Sequence, residues 1–570
     1  MYFLALATDY DETLAHGGIV DEAPRAALAR VKSSGRRLFL VTGRQLPDLE
    51  SVFGDLSLFD RVVAENGALL YNPATREERL LAEPPPALFI ERLKERRVEP
   101  LSVGRCIVAT LEPEESAVLE EIHDLGLELQ IIFNKGSVMV LPSGVNKATG
   151  LLAALADVGL SAHNVVAVGD AENDHALLRA CGCGAAVANA LSMLRGAADI
   201  VLDGHCGAGV VELVERLLRD EAALIPRRQS VRIGGDAQGR EALLEPTGGS
   251  VLVAGQSGIG KSTLAIAFIE KIAEAGFEFC VLDPEGDYDA LEPAVAVGEA
   301  TSPPHTEEVL TLVERLGANV VVNTQALTAA ERPAYFAQLL PRIASIRART
   351  GRPHWLVVDE AHHLLPAGRG DVKSVLPEEL PSVILITVHP KALSEAVLRT
   401  VRTFIAVGPH AGEFVAEFCG AAGLGSPPPA PRPSDDQILF WAVGLGAPYV
   451  LRAPEPVHSH QRHTRKYAEG NLGEDRSFYF RGPSGKLKLR AHNLMQFLEM
   501  AAGVDDATWD HHRQKRDYSE WFRRNIKDEE LAREAEAIEG DERLDARQSR
   551  TRIAEAVRRR YTAPSAGDSI

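Results

Sequence analysis

Cysteine is scarce and poorly spaced: the chain of 570 residues has 6, with Cys181 and Cys183 the only close pair and no Cys-x-x-Cys. A disulfide framework is excluded and no zinc-ligand spacing appears, so reduced thiols are expected. Basic charge is short too, with 61 Lys and Arg against 80 Asp and Glu for a net charge of −19. This argues against a surface that tracks nucleic acid along its whole length, though not against a local basic patch. Long apolar runs are missing: no stretch of about 18 apolar residues occurs, and the N-terminus enters a strand pattern without a basic leader or cleavage site. The expectation is a cytoplasmic protein with no membrane partner. What is present is ordinary for a globular chain, 45% apolar and 25% charged, and the length calls for roughly three or four domains.

Phe3 to Ala7 is an apolar run that reads as a buried strand, and Asp9-Tyr10-Asp11-Glu12-Thr13 follows it. From a strand end Asp9 can reach a phosphorus atom, while Asp11 can reach the oxygen that leaves. A carboxylate attacks a phosphoryl group where a divalent cation screens the repulsion, and a second acid protonates the leaving oxygen. Asp-x-Asp pairs also occur in plain loops and caps. Three later stretches narrow the choice. Leu38 to Val41 leads into Thr42-Gly43-Arg44, where a hydroxyl and backbone N–H groups can hold phosphoryl oxygens. Asn146-Lys147 opens an apolar-periodic helix and offers a fixed cation. Val165 to Val168 leads into Gly169-Asp170-Ala171-Glu172-Asn173-Asp174, an acidic loop suited to Mg2+, which prefers oxygen ligands.

In this order the four stretches resemble the haloacid dehalogenase superfamily, and within it the sugar-phosphatase-like subfamily IIB, often called Cof-type, over residues 1 to 220. The resemblance implies a Rossmann-like parallel sheet with an inserted α/β cap. It implies that Asp9 becomes a phosphoaspartate and that Asp11 is the general acid and then base. Thr42 would bind the transferring phosphoryl group and Lys147 would neutralise it. Asp170 would hold Mg2+ with Asp9 and the Asp11 carbonyl, while Asn173 and Asp174 tune the loop. The second acid, Asp11, favours phosphate-ester hydrolysis over a mutase or a dehalogenase. The cap falls between Thr42 and Lys147, marked by Pro84-Pro85-Pro86 and by strand and helix patterns around Ile107 to Leu111, Ser116 to Leu125 and Leu129 to Phe133. The phosphatase domain is thus expected over 1–222, with its core at 1–71 and 142–222 and its cap at 72–141. Glu65-Asn66-Gly67-Ala68 resembles the family's turn beside the active site.

Pro226-Arg227-Arg228 and Gly234-Gly235 then break the pattern, as a linker or the edge of a second domain expected over 228–452. Ser250 to Ala254 is strand-like, and Gly255-Gln256-Ser257-Gly258-Ile259-Gly260-Lys261-Ser262 meets the full G-x-x-x-x-G-K-[ST] pattern before a helix from Thr263 to Ala275. The glycines let backbone N–H groups curl round phosphates, Lys261 reaches the β and γ phosphates, and Ser262 can bind Mg2+. Gly255, Gly258, Gly260, Lys261, Ser262 and Thr263 form the expected ATP-binding set. Trp355 to Val358 ends in Asp359-Glu360-Ala361-His362. Asp359 can hold the Mg2+ through water or Ser262, and Glu360 can orient the attacking water, which ranks ATP hydrolysis above transfer to a small molecule. With the strand closing at Val281 to Tyr288 and the later Ile384 to His389, these features resemble the HerA/FtsK branch of P-loop ATPases over 230–450. Members of that branch are often ring-forming motors on DNA or protein. The resemblance implies Thr387 as a polar sensor and Arg399 or Arg402 as a group reaching a neighbour's nucleotide; either arginine also reads as a solvated helix face.

Further on, His458, His460 and His463 lie among Arg462, Arg465 and Lys466 without a cysteine or acidic partner at ligand spacing, so a basic solvated stretch is expected there and not a zinc site. Phe478 to Arg481 and Leu487 to Arg490 predict a hairpin across Gly482-Pro483-Ser484-Gly485. Helical spacing at Asn493 to Ala502 and Tyr518 to Asn525, then mixed charge from Asp528 to Arg560, completes a hairpin-plus-helical module over 457–562, with 563–570 a disordered tail. The whole reads as a Mg2+-dependent phosphomonoester hydrolase, acting on a sugar phosphate or similar small metabolite, fused to an ATP-hydrolysing domain that self-associates and binds nucleic acid weakly or not at all. Two rivals stay open: a DNA-translocating HerA/FtsK-type ATPase with an accessory phosphatase domain, and a regulatory protein that uses nucleotide as a switch.

Overall fold

The first α/β unit is built on short strands, of which those at the centre of its larger sheet are apolar and buried on both faces. The strands are β1 (Ala5–Thr8), β2 (Arg37–Val41), β3 (Arg61–Ala64), β4 (Leu69–Asn72) and β5 (Glu77–Leu80); then β6 (Ser102–Val103), β7 (Val108–Leu111), β8 (Leu129–Asn134) and β9 (Ser137–Pro142); then β10 (Val165–Gly169), β11 (Cys183–Ala186) and β12 (Ile200–Val201). Eight form one sheet in the order β12-β11-β10-β1-β2-β3-β4-β5, parallel up to β3 and antiparallel beyond. Complete burial of β1 and β10 is what parallel strands covered by helices require. The two are neighbours, from Ala5 beside Val165 to Thr8 beside Val168, so the loops after them leave one sheet edge together. Helix Lys147–Asp157 packs on β2, β3 and β4 and brings its first residue to that edge.

The cap is a separate antiparallel sheet, β6-β7-β9-β8, with helices Ala87–Glu95 and Glu115–Asp124 and a small core around Phe89, Leu93, Val118 and Val140. Its sheet starts later than the expected 72. The β4–β5 hairpin lengthens the core sheet instead, Leu69 pairing with Leu80. A tight turn explains this: the carbonyl of Asn72 accepts from Arg76 N at 2.7 Å, its side chain accepts from Ala74 N at 3.1 Å, and Arg76 is left-handed.

A second α/β unit follows, with strands β13 (Val231–Gly235), β14 (Glu241–Leu244), β15 (Ser250–Ala254), β16 (Phe279–Asp283), β17 (Val295–Val297), β18 (Val320–Asn323), β19 (Trp355–Val358), β20 (Val383–Thr387), β21 (Val401–Val407), β22 (Gln437–Ala442) and β23 (Tyr449–Arg452). Gly234-Gly235, read as a break, lies inside β13, which pairs with β14 across a bulge at Arg232/Gly234. Glycine is needed there because a Cβ on Gly234 would lie 2.6 Å from Leu451 Cδ1. The large sheet runs β17-β18-β16-β19-β20-β15-β21-β22-β23, so β20 stands between β15 and β19 and the ends of all three are neighbours. Beyond it the expected hairpin forms from β24 (Phe478–Phe480) and β25 (Leu489–Ala491), and helices between Leu494 and Tyr561 close round Phe478, Phe497, Trp509, Tyr518 and Trp521.

This computed structural model describes residues 1–236, 238–256, 259–289, 291–367, 382–457, 472, 477–483, 485, 487–526 and 528–561. The expectations placed on Ser257, Gly258, the His458 to Lys466 stretch, Ser484, Lys486 and the tail lie outside them. Among the described residues no helix is long and apolar enough to cross a membrane.

Candidate active site

Asp9 follows β1, with its backbone N–H bonded to Val168 O of β10 at 3.0 Å. Its Oδ1 accepts from Lys147 Nζ at 2.6 Å, and the same ammonium donates to Asp174 Oδ1 at 2.6 Å. Lys147 is fixed because Asn146 caps the helix, accepting from Ala148 and Thr149 N–H. The other oxygen of Asp174 folds its own loop, accepting from Asp170 N at 3.0 Å and Ala171 N at 3.1 Å. A Cβ on Gly169 would lie 2.5 Å from the Asp174 carboxyl carbon, which accounts for that glycine. Asp170 accepts from Thr13 Oγ1 at 3.3 Å and from Lys135 Nζ, which comes from the cap.

Asp9, Asp170 and Asp174 are buried to 4%, 1% and 0% exposure, and their ligand oxygens lie within 4.8 Å of one another. Burial, then repulsion from Asp174, pushes Asp9 up to about 8 against the pull of Lys147. Burial works against the charge on Lys147 as well, but Asp174 and Asp9 outweigh it and hold that lysine above its ordinary range. Burial also raises Asp170, with Lys135 opposing. Three buried carboxylates share two ammonium groups, a crowding that raises Asp9 and Asp170, and all the converging atoms are oxygens. That donor set fits a hard divalent cation.

Asp11 points at Arg44, whose Nε and Nη2 donate to its two oxygens at 2.8 and 2.7 Å, while Arg44 Nη1 reaches Asp48 at 2.6 Å. Thr42 is fully buried at the end of β2 and its hydroxyl accepts from Arg44 N at 3.1 Å. A cleft of about 430 Å³ opens between core and cap, lined by Asp9, Asp11, Arg44, Lys147 and Asp170 below and by Ser102, Asn134, Lys135, Ser137 and Met139 from the cap. Thr42 and Asn173 do not line it; Gly43 does, and Asn173 bonds Asn66 Oδ1 at 3.0 Å. Glu65 ties core to cap, its carboxylate accepting from the N–H groups of Arg105, Cys106 and Ile107 at 2.8, 2.7 and 3.0 Å. Sequence reasoning placed Arg44 and Glu65 only within their turns, with no role for either side chain, and did not single out Lys135. A signal for Lys135 existed in Asn134-Lys135-Gly136-Ser137, a two-residue hairpin turn whose central residues are both left-handed.

In the second unit, β15 runs into the phosphate-loop motif and helix Lys261–Glu274, which Gly260 caps in the left-handed region at φ 96°. Lys261 Nζ donates to Gln256 O at 2.9 Å, and a Cβ on Gly255 would lie 3.1 Å from Val407 O. Ser262 and Thr263 sit in the helix's first turn. Asp359, at the end of β19, is 2% exposed and accepts from Tyr288 OH at 3.0 Å and Glu360 N at 2.8 Å. Burial, with Glu360 beside it, holds Asp359 well above the carboxylate range. Thr387, at the end of β20, lies 3.2 Å from His362 Nδ1, which is 3.5 Å from Glu360 Oε2. Burial and His363 hold His362 down to about 4. Tyr288 and His362 had no sequence-derived role. Arg399 pairs with Glu395 at 2.5 Å, and Arg402 donates to Arg399 O at 3.0 Å.

Residues 6–101 and 101–214 match the family model described as haloacid dehalogenase-like hydrolase, and 245–400 match an AAA domain, a match that does not single out the HerA/FtsK branch expected from the motifs. The chain is 29% identical over 225 residues to phosphoglycolate phosphatase 2 of Saccharolobus solfataricus, covering 38% of this chain and 92% of that protein. It is 31% identical over 205 residues to phosphoglycolate phosphatase of Methanopyrus kandleri, covering 34% and 87%. To the enzyme of that name from Methanothermobacter thermautotrophicus it is 30% identical over 228 residues, covering 38% and 98%. Identity at this level across nearly the whole length of other phosphatases is the mark of a shared domain, so this chain belongs to the haloacid dehalogenase-like hydrolase family and is a phosphatase joined to an AAA domain.

Proposed function

We propose that the first domain hydrolyses small anionic phosphomonoesters through a phosphoaspartate on Asp9, and that the AAA domain hydrolyses ATP. The observation that carries the first reading is the buried Asp9–Lys147–Asp174 chain at the floor of a cleft that Asp11 and Arg44 flank. Asp9 attacks phosphorus while the ester oxygen leaves with a proton from Asp11. Water then attacks the phosphoaspartate and gives Asp11 a proton, which returns Asp9 and releases inorganic phosphate. Arg44 donates to both oxygens of Asp11, so proton donation to the ester requires that pair to loosen once the substrate occupies the cleft. The Thr42 loop and Lys147 hold the phosphoryl oxygens. Asp9, Asp170 and the Asp11 carbonyl would hold Mg2+, with Asn173 and Asp174 shaping the loop; when bound, the cation screens nucleophile from phosphate.

The relatives are named for phosphoglycolate, a substrate with a carboxylate beside its phosphate. Lys135 and Arg44 supply cations for such a second anion, and this ranks a small phosphorylated acid ahead of a neutral sugar phosphate. Asp9→Asn should cut turnover roughly 10³-fold or more with the fold retained. Asp11→Asn should harm esters with poor leaving groups far more than p-nitrophenyl phosphate. Folded Asp9→Asn protein with the original rate would sink the assignment.

For the AAA domain, the neighbouring ends of β15, β19 and β20, which carry the loop to Lys261, Asp359 and Thr387, support ATP hydrolysis, in which Ser262 and Asp359 would hold Mg2+ and Glu360 would orient the attacking water. Lys261→Ala and Glu360→Gln should both stop turnover, and only the latter should keep tight ATP binding. The HerA/FtsK resemblance supports ATP-dependent self-association. DNA affinity through Arg481, Lys488 and Arg490 should be weak and salt-labile. Strong DNA stimulation of ATP turnover at physiological salt would promote the translocase reading.

A further inference from the structure

At the rim of the phosphatase cleft, whose lining includes Glu12, but apart from the groups given a role above, a thiol, an imidazole and a carboxylate meet. Glu12 Oε2 lies 3.3 Å from His16 Nδ1 and 3.7 Å from Cys206 Sγ. The thiol lies 3.7 Å from the same His16 Nδ1. Cys206 stands 190 residues beyond His16 in the chain, so no sequence spacing could reveal the set. We propose that Glu12, His16 and Cys206 form a binding site for a borderline-soft divalent cation of the zinc class, separate from the all-oxygen set of the catalytic centre.

Geometry carries the case. Zinc bonds run about 2.0–2.2 Å to oxygen and nitrogen and about 2.3 Å to sulfur, and at tetrahedral angles such bonds put neighbouring ligand atoms about 3.3–3.6 Å apart. The three separations here match those edges to within about 0.2 Å. The rival use of a Cys-His-Glu set is a nucleophilic triad, which needs the thiol and the acid on opposite ring nitrogens so that imidazole can relay a proton. Here both face Nδ1. They converge on one point, which suits a shared ion and not a relay. The donor chemistry separates this site from its neighbour: sulfur and imidazole favour zinc-class ions, whereas Asp9, Asp170 and Asp174 offer only hard oxygens.

The supports of the set are built in. Asn189 spans the two ligand backbones, its Nδ2 donating to Glu12 O at 2.7 Å and its Oδ1 accepting from Cys206 N at 2.7 Å. The second oxygen of Glu12 accepts from Gly17 N at 3.0 Å, which aims the first at the cluster. Both Glu12 and Cys206 have left-handed backbone, φ 56° and 48°, an unfavourable conformation for either residue type. Cys206 is 8% exposed whereas the His16 side chain is 81% exposed, so the site is anchored inside and open outside, with room for water as fourth ligand.

The test uses the full chain with saturating Mg2+, titrated with Co2+ as a spectroscopic probe and with Zn2+ against a chromophoric chelator. The expected result is one Co2+ per chain with d–d bands of tetrahedral intensity and a thiolate-to-cobalt charge-transfer band, displaced by Zn2+. Cys206→Ser should remove the charge-transfer band, and His16→Ala should weaken Zn2+ affinity by at least about tenfold. Glu12→Gly, which relieves the left-handed strain and keeps the fold, should weaken it likewise. Wild-type protein without the charge-transfer band, or Zn2+ affinity equal in wild type, His16→Ala and Glu12→Gly, would overturn the proposal and leave a thiol hydrogen-bonded to a carboxylate.

Discussion

Lys135 differs from the other cations of the phosphatase cleft in where it comes from. Lys147 and Arg44 are fixed by the core, whereas Lys135 is carried by the β8–β9 turn of the cap and reaches Asp170 only with the cap in place. Lys135→Ala should therefore raise KM for a phosphorylated acid by about tenfold, the worth of one charge-assisted hydrogen bond, with a smaller change in kcat. A neutral sugar phosphate should be affected less, and steady-state kinetics on the two substrates decides it. Equal losses on both would make Lys135 a partner of Asp170 alone. This residue marks the limit of what the sequence made legible. Asp9, Asp11, Lys147 and Asp170 could be read because each lies where an apolar run ends or a helix begins, and parallel neighbours bring such ends together. Lys135 could not, because its reach depends on how the cap sits on the core, and the pairing of Arg44 with Asp11 joins two loops that no spacing in the sequence relates. The Glu12, His16 and Cys206 set is a sharper case: scarce cysteine argued against a metal role, and only the meeting of β1's loop with helix Cys206–Arg219 suggests one.

At the level of elements the same contrast holds. Strands β1, β2, β10, β15 and β19 were legible as apolar runs before polar loops, and the β24–β25 hairpin as two short apolar stretches about a Gly-Pro turn. Helix Arg332–Thr350 escaped periodicity reading because Pro341 lies inside it. In the C-terminal region, one contact between helices uses backbone groups that no side-chain pattern reports. Glu539, the last residue of helix Glu529–Glu539, accepts from the N–H groups of Tyr518 and Ser519 at 3.0 and 3.3 Å, both in the first turn of helix Asp517–Trp521. These donors favour its charge, but burial outweighs them and pushes the carboxyl from 4.5 up to about 7. The folded form thus keeps a proton that the unfolded chain has already released, so the stability of this region falls as pH rises from about 4.5 to about 7. Glu539→Gln keeps an acceptor for the two N–H groups and should flatten that dependence. Denaturant midpoints followed by fluorescence of Trp509 and Trp521 between about pH 5 and 7.5 measure it. An equal slope in the variant would assign the dependence to another group.

On the scale of the whole molecule, the sequence suggested two separable engines joined by a linker near Pro226, and the structure gives them a packed contact. His163, in the turn before β10, stacks on Phe277 at 4.1 Å between ring centres. Its Nδ1 lies 2.7 Å from Gln229 Oε1 and its Nε2 lies 3.1 Å from Gly276 O. Arg352, fully buried, donates to Gly159 O at 2.8 Å and to Glu314 O at 3.0 Å, so one guanidinium bonds both domains. The Gly351 backbone closes tightly on the Asn164 side chain as well: a Cβ on Gly351 would lie 2.0 Å from Asn164 Oδ1. Arg228 ties the connecting segment down, pairing with Asp199 at 2.6 Å and donating to Cys181 O at 2.7 Å. None of these groups belongs to a motif, which is why the contact was invisible in the sequence. The segment 159–164 joins the helix that Lys147 heads to the strand that delivers Asp170, while Gly276 and Phe277 follow the helix that Lys261 heads. Residues 1–222 still contain every group of the phosphatase cleft, so that fragment should fold and keep its kcat. In the full chain, removing the shared guanidinium should uncouple the domains. Arg352→Ala leaves the buried Glu278 carboxylate, 3.5 Å from Arg352 Nε, without its cation and Gly159 O and Glu314 O without their donor, a loss of about 3–5 kcal/mol for a broken buried ion pair. Calorimetry of the wild type should then show one coupled transition for the phosphatase and AAA domains, and Arg352→Ala two, with ATP raising only the second. A single transition in both proteins, shifted together by ATP, would mean that the coupling runs through the Phe277 stack and the Arg228 segment, and His163→Ala with Arg228→Ala would then be the pair that divides it.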